Sequence, residues 1–242
     1  LSSSTPNSGF VSPGADPLPD LSKVIPVTGT IGSGKSTFCG ILEEAGAKVV
    51  SADKLAHVAL TNLQNEIVKQ FGAEIITNGT IDRSKLGKIV FADELKRKQL
   101  EALVHPEIRR LALIEFKHLL DSPTEPIKHV FYEVPLFFET GMQQLGFGPA
   151  VLITVRSDEA AVERITARGR ETADQARARI AAQMPVDEKI ALADIVIEND
   201  GDRQKLRDEA DQLLKQLDLT GLKRISADNH YQRHSTNPVP DQ

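Results

Sequence analysis

The stretch GTIGSGKST, Gly29–Thr37, follows the apolar run KVIPVT and leads into FCGILEEAG. Its spacing, Gly29-x-x-x-x-Gly34-Lys35-Ser36 between a predicted strand and a predicted helix, is that of a phosphate-binding loop. Glycines let backbone N–H groups curl around phosphate oxygens with no Cβ in the way, and the start of the helix adds partial positive charge. Lys35 is then expected to reach the β- and γ-phosphates and Ser36 to ligate Mg²⁺. Gly29, Thr30, Ile31, Gly32, Ser33, Gly34, Lys35, Ser36 and Thr37 are all expected to line the nucleotide. A plain glycine-rich turn is the competing reading, and the strand–loop–helix context counts against it. The loop alone does not fix the reaction, because GTPases, motor ATPases and small-molecule kinases share it.

The rest of the chain narrows the choice. Its 242 residues suffice for one compact domain with insertions. A net charge of −5 argues against a general affinity for nucleic acid or an anionic membrane. No apolar run approaches the ~20 residues that span a bilayer, and the start shows neither a basic leader nor an apolar signal core. The single cysteine, Cys39, falls in a predicted helix and reads as a small buried apolar residue, which suits a reducing cytoplasm.

Residues 1–20 and 223–242 are rich in Ser, Pro, Gly and polar residues and read as flexible tails. Between them, KVIPVT, AKVVS, IKHVFYEV, AVLITV and DIVIEN read as buried strands. Alternation with helical patterns predicts an α/β fold with a parallel sheet and crossover helices. From Asp53 to Asp121 helical patterning dominates, with Ile108, Ala112, Phe116 and Leu119–Leu120 on one face. This is expected to be a helical insertion between the second and third strands, with Asp82 and Asp93 as helix N-caps. A second insertion, Arg164–Pro185, carries five arginines.

No Asn-Lys-x-Asp is present to read a guanine base, and no long apolar strand ends in the Asp-Glu pair usual in motor ATPases. Asp53 instead lies just past the end of the second strand, on the sheet edge where open α/β folds bind ligands. A carboxylate there can accept the proton of an attacking hydroxyl, although a helix cap would use the same residue. Arginines on a closing flap can neutralise charge on the moving phosphoryl group, while any one of them equally suits a solvated helix face.

Taken together, TGTIGSGKST, SADKLAH, FGAEIITNGTIDRSKLGKIVFAD, LEALVHPEIR, YEVPLFFE, the arginine segment ending in Gln183 and ADIVIENDG resemble the dephospho-coenzyme A kinase family over about residues 23–201. The resemblance implies a three-layer P-loop NTPase fold with a parallel sheet, a helical substrate-binding insertion and a lid. The core would span 21–52, 122–163 and 186–222, the helical coenzyme A domain 53–121, and the lid 164–185. The implied reaction moves the γ-phosphoryl group of ATP to the ribose 3′-hydroxyl of dephospho-coenzyme A with Mg²⁺, and implies no nucleic-acid or membrane partner. Asp53 matches the general base and a substrate-binding residue. His105 and Arg109 of HPEIR match the substrate side, though His105 equally suits a helix start before Pro106. Lys35, Arg164 and Arg168 match catalytic cations, and Arg179 is a further lid arginine. Asn199 and Gly201 match the loop near adenine. Glu133 is expected to hold Mg²⁺ through water, Asp82 and Arg83 to be architectural, and Glu139 to cap a helix.

The chain departs from the family pattern at four places. Pro26 and Thr30 stand where glycines are usual, and Ser51-Ala52-Asp53 where Asp-x-Asp is usual. Thr30 occupies an unconstrained loop position. Pro26 gives up a ladder donor and should disturb strand pairing locally, and Ser51 should alter Mg²⁺ handling. Arg170 stands where Asp is common, making the lid more basic. Two other readings stay open at this level: a different small-molecule or nucleoside monophosphate kinase, and a nucleotide-sensing module without catalysis.

Overall fold

The computed structural model describes residues 17–123, 127–169 and 171–220. Most of both terminal tails and Arg170 therefore lie outside the described residues. The sequence builds β1 (Val24–Gly29), α1 (Lys35–Glu44), β2 (Val49–Ser51), α2 (Ala52–Asn62), α3 (Gln64–Phe71), the hairpin strands β3 (Ile76–Thr77) and β4 (Thr80–Ile81), α4 (Arg83–Ala92) and α5 (Glu94–Leu120). After these come β5 (Val130–Glu133), β6 (Val151–Thr154), α6 (Asp158–Thr166), α7 (Ala173–Ala181), α8 (Val186–Leu192), β7 (Ile195–Glu198) and α9 (Arg203–Thr220).

Five strands form one parallel sheet in the order β2-β5-β1-β6-β7. Strand residues alternate between its two faces, as a two-residue period demands. Ile25, Val27, Phe131, Val151, Ile153, Ile195 and Ile197 pack against Phe38, Ile41 and Leu42 of α1 and Leu206, Ala210, Leu213 and Leu217 of α9. Val24, Val130, Tyr132 and Leu152 face the other way, onto Ala112 and Phe116 of α5 and Phe137, Phe138 and Phe147 of the β5–β6 connection. This is the expected three-layer α/β arrangement. Cys39 is buried in the first of these cores, and that burial pushes its thiol up.

Pro26 does not disturb the pairing. The register Ile25↔Phe131, Pro26↔Tyr132, Val27↔Glu133 runs through it unbroken. Val27 O accepts from Val134 N, so Val27 turns its backbone toward β5 and Pro26, one residue earlier, turns toward β6. The β6 ladder begins only at Val27, which leaves the missing N–H without a ladder partner to lose.

The segment after β2 forms a helical unit with its own core, in which Ala59, Ile67, Phe71, Ile75, Leu86 and Val104 are buried. Asp82 and Asp93 cap α4 and α5 as expected, each accepting two backbone N–H bonds. α5 runs 27 residues through Pro106. His105 is therefore mid-helix and not at a helix start. The proline is tolerated because it and Ala102, whose carbonyl loses its i+4 donor, both lie on the exposed side. α6 begins at Asp158, so Arg164 sits in its last turn, and α6 and α7 pair through Val162, Ile165 and Ala176.

Glu139 caps no helix, because the chain after β5 turns without forming one there. It meets Lys189, fully buried on α8, with Nζ 2.6 Å from Glu139 Oε1. Removing one partner of a buried pair strands the other's charge, which costs about 3–5 kcal/mol. Lys189→Met should therefore lower stability toward the low end of that range, since Glu139 is partly exposed, and Lys189→Met/Glu139→Leu should recover most of it. Urea denaturation of both variants tests the coupling; equal loss in single and double would show there is none.

Candidate active site

β1 ends at Gly29 and the chain reaches α1 through a tight loop. Gly34 has φ +89°, and a Cβ there would stand 2.3 Å from Asn199 Nδ2, so both conformation and space require glycine. Gly32, at φ +80°, closes a turn in which Thr30 O accepts from Ser33 N at 3.2 Å. The first amides of α1 have no intrahelical acceptor and face the mouth of this loop.

Glu133, the last residue of β5, gathers the cationic and hydroxyl groups of the loop. Its Oε1 accepts from Ser36 Oγ at 2.6 Å and from Lys35 Nζ at 3.1 Å. Burial alone would push this carboxyl up. The Ser36 hydrogen bond, the charge and hydrogen bond of Lys35, and a hydrogen bond from Ser51 together hold it below the usual carboxylate range. Ser51 reaches it because β2 pairs Ser51 with Glu133 in register. Ser51 occupies the N-cap position of α2 but makes no side-chain cap bond there.

Asp53 lies in the first turn of α2, exposed, on the same edge of the sheet. Tyr132 beside Glu133 reports what surrounds it. Burial raises the phenol to about 12, the Asp53 carboxylate adds to that shift and the Arg109 guanidinium opposes it. Asp53 of α2 and Arg109 of α5 are thus both near enough to Tyr132 of β5 to act on its charge. His57, one turn after Asp53, donates from Nδ1 to the Asp53 carbonyl at 2.7 Å and accepts at Nε2 from Arg83. Arginine only donates and a carbonyl only accepts, so these partners fix the Nδ1–H tautomer. His105, Pro106, Arg109, Arg110 and Leu113 line an open pocket of about 340 Å³ on α5.

Other expected site residues support the loop from behind. Asn199, almost fully buried after β7, donates from Nδ2 to Ser33 O at 2.8 Å. Arg164 donates to Asn199 O at 2.6 Å and to Ser33 O at 3.5 Å, so it brackets α6 to the loop. Arg168 and Gly201 are exposed. Arg179 pairs with Glu171 and Arg177 with Asp174, within the α6–α7 region itself. Three roles were not assigned by residue pattern, although Ser51 and Gln183 fall in the quoted motifs: Ser51 as a partner of Glu133, Tyr132 near Asp53 and Arg109, and Gln183, whose Oε1 accepts the Ile31 N–H at 2.9 Å. Their partners are distant in the chain, and no local spacing signals them.

Divalent cations of the Mg²⁺ type take oxygen ligands, commonly one or two carboxylates with phosphate oxygens. The converging Ser36 hydroxyl and Glu133 carboxylate form a donor set that fits such an ion. No helix among the described residues is long and apolar enough to cross a membrane.

The family model described as dephospho-CoA kinase matches residues 23–205. A dephospho-CoA kinase of Anaeromyxobacter dehalogenans is 42% identical over 199 residues, covering 81% of this chain and 92% of the relative. Among solved structures, one from Thermus thermophilus is similar at 38% identity and a TM-score of 0.69, covering 80% of this chain and 97% of its own. The dephospho-CoA kinase of Campylobacter jejuni is similar at 31% identity and a TM-score of 0.57, covering 81% and 97%. With most of the chain matched at these identities, it belongs to the dephospho-CoA kinase family.

Proposed function

We propose that this protein transfers the γ-phosphoryl group of ATP to the ribose 3′-hydroxyl of dephospho-coenzyme A. The observation that carries the reading is the meeting of two features on one sheet edge: Lys35, Ser36 and Glu133 at the phosphate loop, and Asp53 in the first turn of α2, two residues past Ser51, which pairs in register with Glu133. The first suits a nucleotide triphosphate and the second an acceptor hydroxyl. Family membership makes the acceptor dephospho-coenzyme A.

In this reading the 3′-oxygen attacks the γ-phosphorus, the bond to the β–γ bridging oxygen breaks, and ADP leaves. Asp53 takes the hydroxyl proton. Lys35, beside Glu133 at the loop, serves the β- and γ-phosphates, where its charge offsets that developing on the transferred group. Arg168 stands exposed on the turn after α6 and would add a second cation on lid closure, while Arg164 keeps the loop in shape. Ser36 and Glu133 would hold Mg²⁺, Glu133 through a water, and the ion supplies charge neutralisation at the phosphate oxygens. By family resemblance Asn199 and Gly201 belong to the loop near the adenine ring.

The pocket on α5 favours a long acceptor over a compact nucleoside monophosphate. Pro106 and Leu113 offer apolar surface to an extended arm, and His105 and Arg109 offer hydrogen-bond donors and charge to phosphates. Residues 53–121 then form the acceptor domain and 164–185 the lid. A lone, buried Cys39 thiol suits a cytoplasmic setting.

The reading is tested by incubating the protein with ATP and Mg²⁺ beside dephospho-coenzyme A, adenosine, AMP and shikimate, and weighing the products. A gain of one phosphoryl group on dephospho-coenzyme A alone is expected; transfer to a rival acceptor, or to none, contradicts it. Asp53→Asn should cut kcat by about 10²-fold or more while ATP binding holds, and wild-type turnover in that variant would remove Asp53 as base. Lys35→Ala should abolish measurable transfer and weaken ATP binding, read by calorimetry. Glu133→Gln should raise the Mg²⁺ concentration needed for half-maximal rate.

A further inference from the structure

We propose that Gln183 is a positioning residue for the nucleotide phosphates, acting through the Ile31 peptide of the phosphate loop. The proposal rests on reading Gly29–Thr37 as that loop and adds a residue to its machinery. Gln183 follows α7, and its Oε1 accepts the Ile31 N–H at 2.9 Å across a separation of 152 residues. A trans peptide points its N–H and C=O in opposite directions. Holding the Ile31 N–H outward therefore also fixes the Thr30 carbonyl, which accepts from Ser33 N and closes the turn.

Asn199 does the complementary job at the other end. Its Nδ2 holds the Ser33 carbonyl outward at 2.8 Å, which sends the Gly34 N–H of the same peptide to the opposite side, into the loop. Two amide side chains, one accepting and one donating, thus set the peptide planes at both ends of the loop. The Ile31 side chain is held by the same part of the chain, against Val162, Ile165 and Ala176 of the α6–α7 pair. Ile31 is therefore gripped through its backbone by Gln183 and through its side chain by the helices that lead to it. Phosphate binding at the loop and the placement of α7 are linked through this one residue.

Gln183→Met keeps the length and packing of the side chain and removes the acceptor. About tenfold weaker ATP binding by calorimetry and a matching rise in the KM for ATP are expected, with the KM for dephospho-coenzyme A and the thermal midpoint unchanged. Amide hydrogen exchange at Ile31, read by NMR, should be slow in wild type, fast in Gln183→Met and slow again in Gln183→Glu, which retains an acceptor oxygen. Equal ATP affinity in wild type and Gln183→Met, or equal Ile31 exchange in the two, would overturn the proposal. A lower thermal midpoint with kcat reduced and no selective change in the KM for ATP would also overturn it, as a merely structural role. Failure of the wild-type chain to bind ATP would overturn the phosphate-loop reading itself, and the assignment of Gln183 with it.

Discussion

Glu133 stands at the end of the strand next to β1 and holds both Lys35 and Ser36. A carboxylate in that position is costly to bury by itself, since burial pushes its pKa up. The surrounding hydrogen bonds more than offset this and keep it ionised. The parallel order β2-β5-β1 is what makes the arrangement available, because it delivers Ser51, Glu133 and the phosphate loop to one edge. With the charges already paired and oriented, the cost of organising them does not fall on the chemical step. Ser51 takes part through its hydrogen bond to Glu133, so the departure from the family's Asp-x-Asp leaves a neutral donor, not a second acid, next to that carboxylate.

In the proposed function the two insertions serve different reactants. The helical unit between β2 and β5 has its own buried core, and its exposed face on α5 carries the pocket lined by His105 and Arg109. The α6–α7 pair instead grips the phosphate loop, through Arg164 on the Ser33 and Asn199 carbonyls and through Ile31 and Gln183. In that reading donor and acceptor sides draw on different helical elements, which share the sheet and the core that takes in Ala112, Phe116, Leu113 and Met184. Changes in the helical unit can alter acceptor choice without disturbing the loop, which is how one sheet can support kinases of different substrates.

What was legible in the sequence was what is contiguous. The glycine loop, the strand ends and the Asp82 and Asp93 caps are local patterns with local causes, and each lies where its spacing put it. Asp53 was found by its position after a strand. For His105 the competing reading, a helix start suggested by Pro106 as a first-turn proline, fails because α5 begins at the Asp93 cap and tolerates the proline on its exposed side. Glu139 looked like a cap for want of its partner, Lys189, which arrives only with α8. Pro26 looked disruptive until the side to which its backbone turns was known. Gln183 and Ser51 share the same cause: their partners are fixed by strand order and helix packing, which no residue pattern near them records.

The central claim is that Asp53 and the phosphate loop face one another across a single reaction line. A crystal structure with dephospho-coenzyme A and a non-hydrolysable ATP analogue tests it most directly. The account predicts the ribose 3′-oxygen within hydrogen-bond reach of the Asp53 carboxylate, in line with the γ-phosphorus, with Lys35 moved from Glu133 to the phosphates. A 3′-hydroxyl seated away from Asp53, or an acceptor bound elsewhere than the Arg109 pocket, would contradict it.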